Sequence, residues 1–453
     1  MSLGQGLAGY GGGGSSDKSL RLPLLETLRL AWADPDIRQR LTFVLLIFAA
    51  YAIGTHIPVP IPGLSPGAFE KTIENNPFFQ FLNTFGGGAL KRVSILALGL
   101  GPYITASIIM QVLTMAIPKW KKDLQEGGEY ARAQQNKKTR LLTIVLCIFQ
   151  GAGLLQMLGQ SINVGLQPID RFAIITFWTA GAMLMLWLGE QISEKGIGNG
   201  ISLMIFAGIV ISIPNIFAMI FKNIPLVIQW WQAVVLFVMF LVTTYFVVYF
   251  SIAQRRIPIQ HMRRQVGTKQ MGGSTSYLPL PVNLVGVIPI IFAVALVYMP
   301  QQFASMFPAT HPMHDTFAAI AKFTNPDFTT WQGWIGVLFY AGLIFFFTYF
   351  YTAIQFNVED MSNNLKQRGS FIPGVRPGKQ TKEFLDGVIS RITIVGAAFL
   401  TVVALTQYIV PLIAQGLPML GLLFGTSLLI MVSVALETMR QLEANLLMKQ
   451  YSQ

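Results

Sequence analysis

The chain runs to 453 residues, of which 53% are hydrophobic and 11% charged. Soluble domains carry about 25% charged residues, so this balance excludes a string of ordinary soluble domains and points to apolar spans. A net charge of +12 would suit nucleic acid in a soluble protein; in a membrane chain it follows from the gathering of Lys and Arg on the cytoplasmic side.

Residues 1–21 read as a flexible cytoplasmic tail, with a Gly-Tyr-Gly-Gly-Gly-Gly-Ser-Ser run and no apolar core of a signal peptide. Leu24, Leu25, Leu28 and Trp32 then recur at helical spacing among charges. They predict an amphipathic helix over 22–40, either lying on the membrane surface or capping the bundle from water. Apolar runs follow at about 41–59, 93–116, 141–160, 172–189, 198–220, 227–252, 283–300, 334–355, 387–412 and 417–436, ten segments of membrane-spanning length. Between the first two, residues 60–91 are too short and too interrupted for a full span. Asn75-Asn76-Pro77-Phe78-Phe79 and Gly86-Gly87-Gly88 leave two readings there, a re-entrant segment shielded by protein or an ordinary external loop. Two large basic loops, 253–282 and 357–386, each follow an even-numbered span. Ten spans put both termini on one side. Of the 32 Lys and Arg, only Lys71, Lys91, Arg92, Arg171, Lys222 and Lys322 fall on the other side, which assigns both termini to the cytoplasm.

The spans hold little that could do chemistry. Glu190, Asp386 and Glu437 sit at span ends, and no span carries an acid near its centre. Ion-coupled carriers keep ionisable groups at mid-membrane, so a secondary transporter is disfavoured. Polar residues inside the spans are Thr105, Ser107, Gln111 and Asn283, which also serve as ordinary interhelical glue. Cys147 is the lone cysteine, ruling out a disulfide within the chain and a cysteine metal cluster. His56, His261, His311 and His314 share no zinc-like spacing on a helix. Gly196-Ile197-Gly198-Asn199-Gly200 lacks the strand and lysine of a phosphate loop and reads as a tight turn before the fifth span. Leu100 with Ile104, and Ile201 with Ile205, each share one helix face; by composition alone these are core or lipid-facing residues. No catalytic constellation and no cofactor site appear, so the expectation is a protein that is not an enzyme.

Longer stretches carry a resemblance. GLGPYITASIIMQ (Gly99 to Gln111), LGEQISEKGIGNGIS (Leu188 to Ser202), PLPVNLVGVIPIIF (Pro279 to Phe292), FNVEDMSNNLKQRGSFIPGVRPGKQT (Phe356 to Thr381) and FGTSLLI (Phe424 to Ile430) resemble, in order, segments of the SecY family of protein-secretion channels. The resemblance implies an all-α polytopic membrane protein with ten spans in two pseudo-symmetric inverted halves, residues 22–220 and 221–440, followed by a cytoplasmic tail over 441–453. It implies a central pore that passes unfolded secretory polypeptides and releases hydrophobic segments sideways through a lateral gate. Carried over by motif, the pore ring falls on Leu100, Ile104, Ile201, Ile205, Ile291 and Ile430. Leu100 departs mildly from an isoleucine-dominated ring. The plug falls near 77–90, on Pro77, Phe78, Phe79, Phe81, Leu82, Phe85, Gly86, Gly87 and Gly88. Gln111 and Asn283 fall at the lateral gate, and Arg255, Arg256 and Arg376 in the loops that dock a motor or a ribosome. Implied partners are SecE-like and SecG-like small membrane subunits, a SecA-type motor ATPase, the ribosome, secretory preproteins with signal sequences and the lipid bilayer. The implied location is the bacterial cytoplasmic (inner) membrane, with a thylakoid homologue as the similar alternative and an insertase of another family as the more distant one.

Overall fold

Prolines and short polar residues interrupt the apolar runs, and the helices begin where they stand. The structure, a computed structural model, describes residues 24–60, 73, 77–162, 167–223, 229–261, 264–266, 269–271, 275–307, 311–367, 369–413 and 419–452. The flexible tail expected over 1–21 therefore lies outside the described residues. Helices α1 (Leu24–Ala33) and α2 (Pro35–Gly54) meet at Asp34. Its carboxylate accepts from the backbone N–H of Asp36 at 2.9 Å and of Ile37 at 3.4 Å, a satisfied N-cap. The single surface helix expected over 22–40 is thus broken, and its second half already belongs to the first span. Helices α3 (Pro77–Phe85), α4 (Gly101–Ala116), α5 (Pro118–Glu126), α6 (Gly128–Ile162), α7 (Pro168–Lys195) and α8 (Gly200–Asn223) complete the N-terminal set. Pro102, Pro118 and Pro168 stand in first turns, where a missing N–H costs nothing. Pro118 also ends α4, and α5 leaves it at 98°.

The C-terminal set comprises α9 (Trp230–Ile252), α10 (Ile288–Met306), α11 (Pro312–Thr324), α12 (Trp331–Gln355), α13 (Val358–Gln367), α14 (Lys379–Ile413), α15 (Met419–Phe424) and α16 (Thr426–Ser452). Residues 441–452, expected as a tail, continue α16. By length and composition seven helices among the described residues can cross a membrane, or eight if the bent α4–α5 pair counts as one span; Ile288–Ala304 is a shorter apolar helix. With the apolar first part of α16, ten helices answer to the ten apolar runs.

Two spans start later than their hydropathy suggests. Residues 86–100 are turns held by Val59 N–H to Val93 O (2.9 Å) and Ile95 N–H to Ile57 O (3.1 Å), so α4 begins at Gly101 rather than near 93. Gly99, at φ +55°, makes the turn into it. Likewise 282–287 bend through Gly286 (φ +69°) before α10. The two basic loops, expected as separate, form one sheet. Strands β1 (Gln254–His261) and β4 (Thr275–Pro281) make an antiparallel hairpin, with Arg255 opposite Leu280 and Ile257 opposite Leu278. Strand β5 (Ser370–Phe371), from the second loop, adds to the free edge of β1. Inside the hairpin, β2 (Arg264–Val266) pairs with β3 (Lys269–Met271).

The two helix sets meet along two seams. On one, α10 packs against α6 and α4; on the other, α15 and α16 pack against α8. Helix α3 lies inside the bundle, against α8 and α15. A protected helix at that depth is the re-entrant alternative for residues 77–90, not the external loop.

Candidate functional site

All six aliphatic ring residues enter one apolar cluster where the seams converge. Leu100, Ile205 and Ile430 are buried in it, and Ile104, Ile201 and Ile291 pack against it half-buried. They come from four places in the chain: the start of α4, α8, α10 and α16. Leu100 just precedes α4, yet Ile104 N–H still bonds its carbonyl at 3.0 Å, so the two stay one turn apart on one face. Ile104 and Ile291 also border the larger core cluster, which draws on both helix sets, so the waist is where two apolar clusters touch. A cavity of about 50 Å³ opens beside it. Leu100, Ile104, Ile205 and Ile291 line it together with Leu82, Phe85 and Gly86 of the re-entrant segment.

That segment is pinned rather than loose. Thr84 and Asn83 turn the end of α3 through Gly87 and Gly88, at φ +68° and +80°; Gly88 N–H bonds Asn83 O at 2.8 Å. Only glycine adopts these angles freely. Helix α8 supplies the anchor. Ser212 Oγ donates to Thr84 O at 2.9 Å, and Gly208 lets the Phe85 carbonyl lie where a Cβ would be, 2.1 Å away. Phe79 is buried, Leu82 and Phe85 are half-buried, and the side chains of Pro77, Phe78 and Phe81 lie outside the described residues.

At the α10 seam the polar residues separate. Gln111 on α4 accepts from Tyr351 Oη of α12 at 2.6 Å and donates from Nε2 to Ser107 Oγ at 3.0 Å. Asn283 lies half-buried in the bend before α10. The partner of Gln111 is therefore Tyr351, which the sequence did not single out. It is one ring in the aromatic-rich run of α12, where nothing in spacing sets it apart.

Arg255 and Arg256 are exposed on β1. Arg376 is exposed in a turn between β5 and α14, framed by Gly374 (φ +82°) and Gly378 (φ +104°). Its carbonyl accepts from Thr381 Oγ1 at 2.9 Å, and Ser362 Oγ fixes Gly378 O at 2.9 Å. The turn presents its side chain from a held backbone. Because β5 joins β1, all three arginines stand on one sheet-centred unit.

The remaining motifs are structural. Asn199 Oδ1 caps α8 by accepting from Ile201 and Ser202, and Gly198 (φ +98°) closes the turn. His311 caps α11 through Met313 N–H at 3.2 Å. No group of three metal-ligating side chains occurs among the described residues. At the opposite seam Lys449 reaches Asp34 at 2.8 Å and Asp36 at 2.6 Å. The Lys449 hydrogen bond holds the Asp34 carboxyl below the usual carboxylate range.

A family model described as SecY matches residues 94–439. The protein translocase subunit SecY of Staphylococcus carnosus is 38% identical over 440 residues, 94% of this chain and 99% of that protein. This chain belongs to the SecY family. Among solved structures, a SecY channel whose plug domain stabilises the closed state and maintains a membrane seal aligns with TM-score 0.64 at 20% identity, over 92% of this chain and 96% of that one. Sec61 from a canine ribosome-channel complex aligns with TM-score 0.61 at 18% identity, over 90% and 92%. Such likenesses give the fold, and the SecY fold agrees with the apolar multi-pass bundle described above.

Proposed function

We propose that this chain is the central pore-forming subunit of a Sec translocon. It passes unfolded secretory polypeptides across the membrane and releases hydrophobic segments sideways into lipid. The observation that carries this reading is the convergence of Leu100, Ile104, Ile201, Ile205, Ile291 and Ile430, from four separate places, in one apolar cluster, four of them lining a small cavity that Leu82 and Phe85 of α3 also line. An aliphatic constriction offers no ligand to an ion and closes by dewetting, while its side chains yield around a polypeptide. The pinned Phe79–Gly88 segment acts as the plug. The α10 seam is the lateral gate, where partition does the sorting. Ten central leucines gain roughly 3 to 6 kcal/mol in lipid, whereas one arginine costs about 2.5 to 3.5.

The channel is passive and takes its energy from a SecA-type motor or a translating ribosome. Either docks on the unit bearing Arg255, Arg256 and Arg376. SecE-like and SecG-like subunits complete the assembly, in the bacterial cytoplasmic membrane with both termini inside. Phosphate contacts to ribosomal RNA would make that docking salt-sensitive. The test is crosslinking of a stalled secretory chain to single cysteines at Ile104, Ile205 and Ile291, in a background lacking Cys147. Contact at all three is expected, with none at the exposed α9 position Tyr245. Contact at Tyr245 without the waist would refute the route.

A further inference from the structure

We propose that α11 is an acid-released strap across the ends of α10 and α12, with His311 as its catch. Helix α11 packs along both of its neighbours in the chain, on the external side in the orientation proposed above. Its C-terminal end is built in. Thr324 Oγ1 donates to Val297 O of α10 at 3.3 Å. Gly333 and Gly336 of α12 leave room for the Asp327 and Asn325 carbonyls where a Cβ would stand. The N-terminal end is held through His311. Its Nδ1 accepts from Met313 N–H at 3.2 Å, and its ring stacks on Phe307, just past α10, at 5.3 Å and 22°. One turn on, the Phe317 ring lies 5.5 Å from Phe303 and 6.0 Å from Phe307. The first turns of α11 therefore hold the end of α10 by aromatic contact, and the imidazole sets where those turns begin.

Proton chemistry gives the catch its direction. An imidazole changes charge between pH 8 and 5. Neutral, it keeps a lone pair on Nδ1 and satisfies one of the open N–H groups of the first turn. Protonated, both ring nitrogens are donors, so Nδ1 turns a hydrogen toward Met313 N–H. A positive charge then also stands at the positive end of the helix dipole. The ring keeps Phe307, because a cation is attracted to an aromatic face. Acid thus leaves the side chain on the end of α10 and lets go of α11. The other charged groups do not reverse this. Helices α10 and α12 carry no Asp, Glu, Lys, Arg or His. His314 Nδ1 meets Asp315 at 3.2 Å, and its protonation adds only an exposed pair. Lys322 lies in the last turn, and Asp327 accepts from Thr329 and Thr330.

The test is hydrogen exchange of the full chain in lipid nanodiscs at pH 8 and pH 5.5, with exchange times scaled for the intrinsic effect of pH. Protection over 312–318 should fall about two- to fivefold in acid, the lower part of the range for a lost N-cap because the site is exposed. Protection over 319–324, next to the built-in end, should stay constant. His311→Asn caps a helix without titrating, so its protection should be high and equal at both pH values. His311→Phe keeps a ring for Phe307 and offers no acceptor, so its protection should be low and equal at both. Constant protection over 312–318 in the unmodified protein overturns the catch, as does a pH response that survives His311→Asn. The waist crosslinks are read separately, so the channel reading stands or falls without this result.

Discussion

Gly208→Ala tests whether the plug is held by the backbone of α8. The added Cβ would lie 2.1 Å from the Phe85 carbonyl oxygen, 3.0 Å from its carbon and 2.9 Å from Tyr51 Oη. Ordinary contact begins near 3.4 Å, so Phe85 must retreat by more than about 1 Å in a core that is close-packed. Tyr51 is fully buried, and its ring has no free side to yield toward. Overpacking of this kind costs about 1 to 3 kcal/mol, here charged only to the state in which the plug is seated. The seated population relative to the displaced one should then fall roughly five- to 150-fold. The Ser212 bond to Thr84 opposes the shift, so Ser212→Ala should enlarge it. The assay is resting ion conductance of the purified protein in planar bilayers, with Gly342→Ala as control because its Cβ meets nothing within 4 Å. Conductance of Gly208→Ala no higher than that of Gly342→Ala would show that the close approach does not hold the plug.

Arg376→Glu should abolish motor-driven export while the channel still inserts and folds, because Thr381 and Ser362 hold the turn through its backbone; normal export in that variant would dismiss the docking role. Lys449→Ala should loosen the end of α16, read as faster hydrogen exchange over 440–452. The same bond carries a pH dependence: Asp34 has a lowered carboxyl, so its contribution is present above the ordinary carboxylate value and lost as pH falls through the lowered one. Acidification should therefore raise exchange at the end of α16 modestly in the unmodified protein, the buried aliphatics beside the pair keeping the helix docked, and change little in Lys449→Ala.

How much of this was legible depended on whether a feature is local. Leu100 with Ile104 and Ile201 with Ile205 announced shared faces, but only the fold brings them to Ile291 and Ile430. The sheet was missed because Pro258 and the flanking arginines read as loop, although Ile257 and Ile259 alternate inward as a half-buried strand should. Late starts of α4 and α10 were hidden because apolar residues in the turns 93–100 and 282–287 keep hydropathy high where glycines bend the backbone. Gly208 looked like any small residue in a span; its role appears only when Phe85 lies against it. Lys449 and Asp34 are 415 residues apart, beyond any pattern a sequence window can hold.

On the proposed channel reading the two seams would part into different media, and that selects the one that opens. At the α10 seam the helices separate into lipid, which is as apolar as their own faces, so parting them carries no hydrophobic penalty. What resists is packing at the waist and the Tyr351 bond. At the far seam the end of α16 meets α1, α2 and the turn before α8 beyond the apolar spans. There Ala31, Ile37, Ile197, Leu442 and Leu446 form a small buried cluster. Parting these exposes them to water, at about 25 cal/mol for each Å² uncovered. The exposed Lys449 pair adds little by itself; the buried aliphatics beside it do the holding. On the proposed channel reading, a wedge entering the waist should therefore part the α10 seam and leave the α8–α16 side closed.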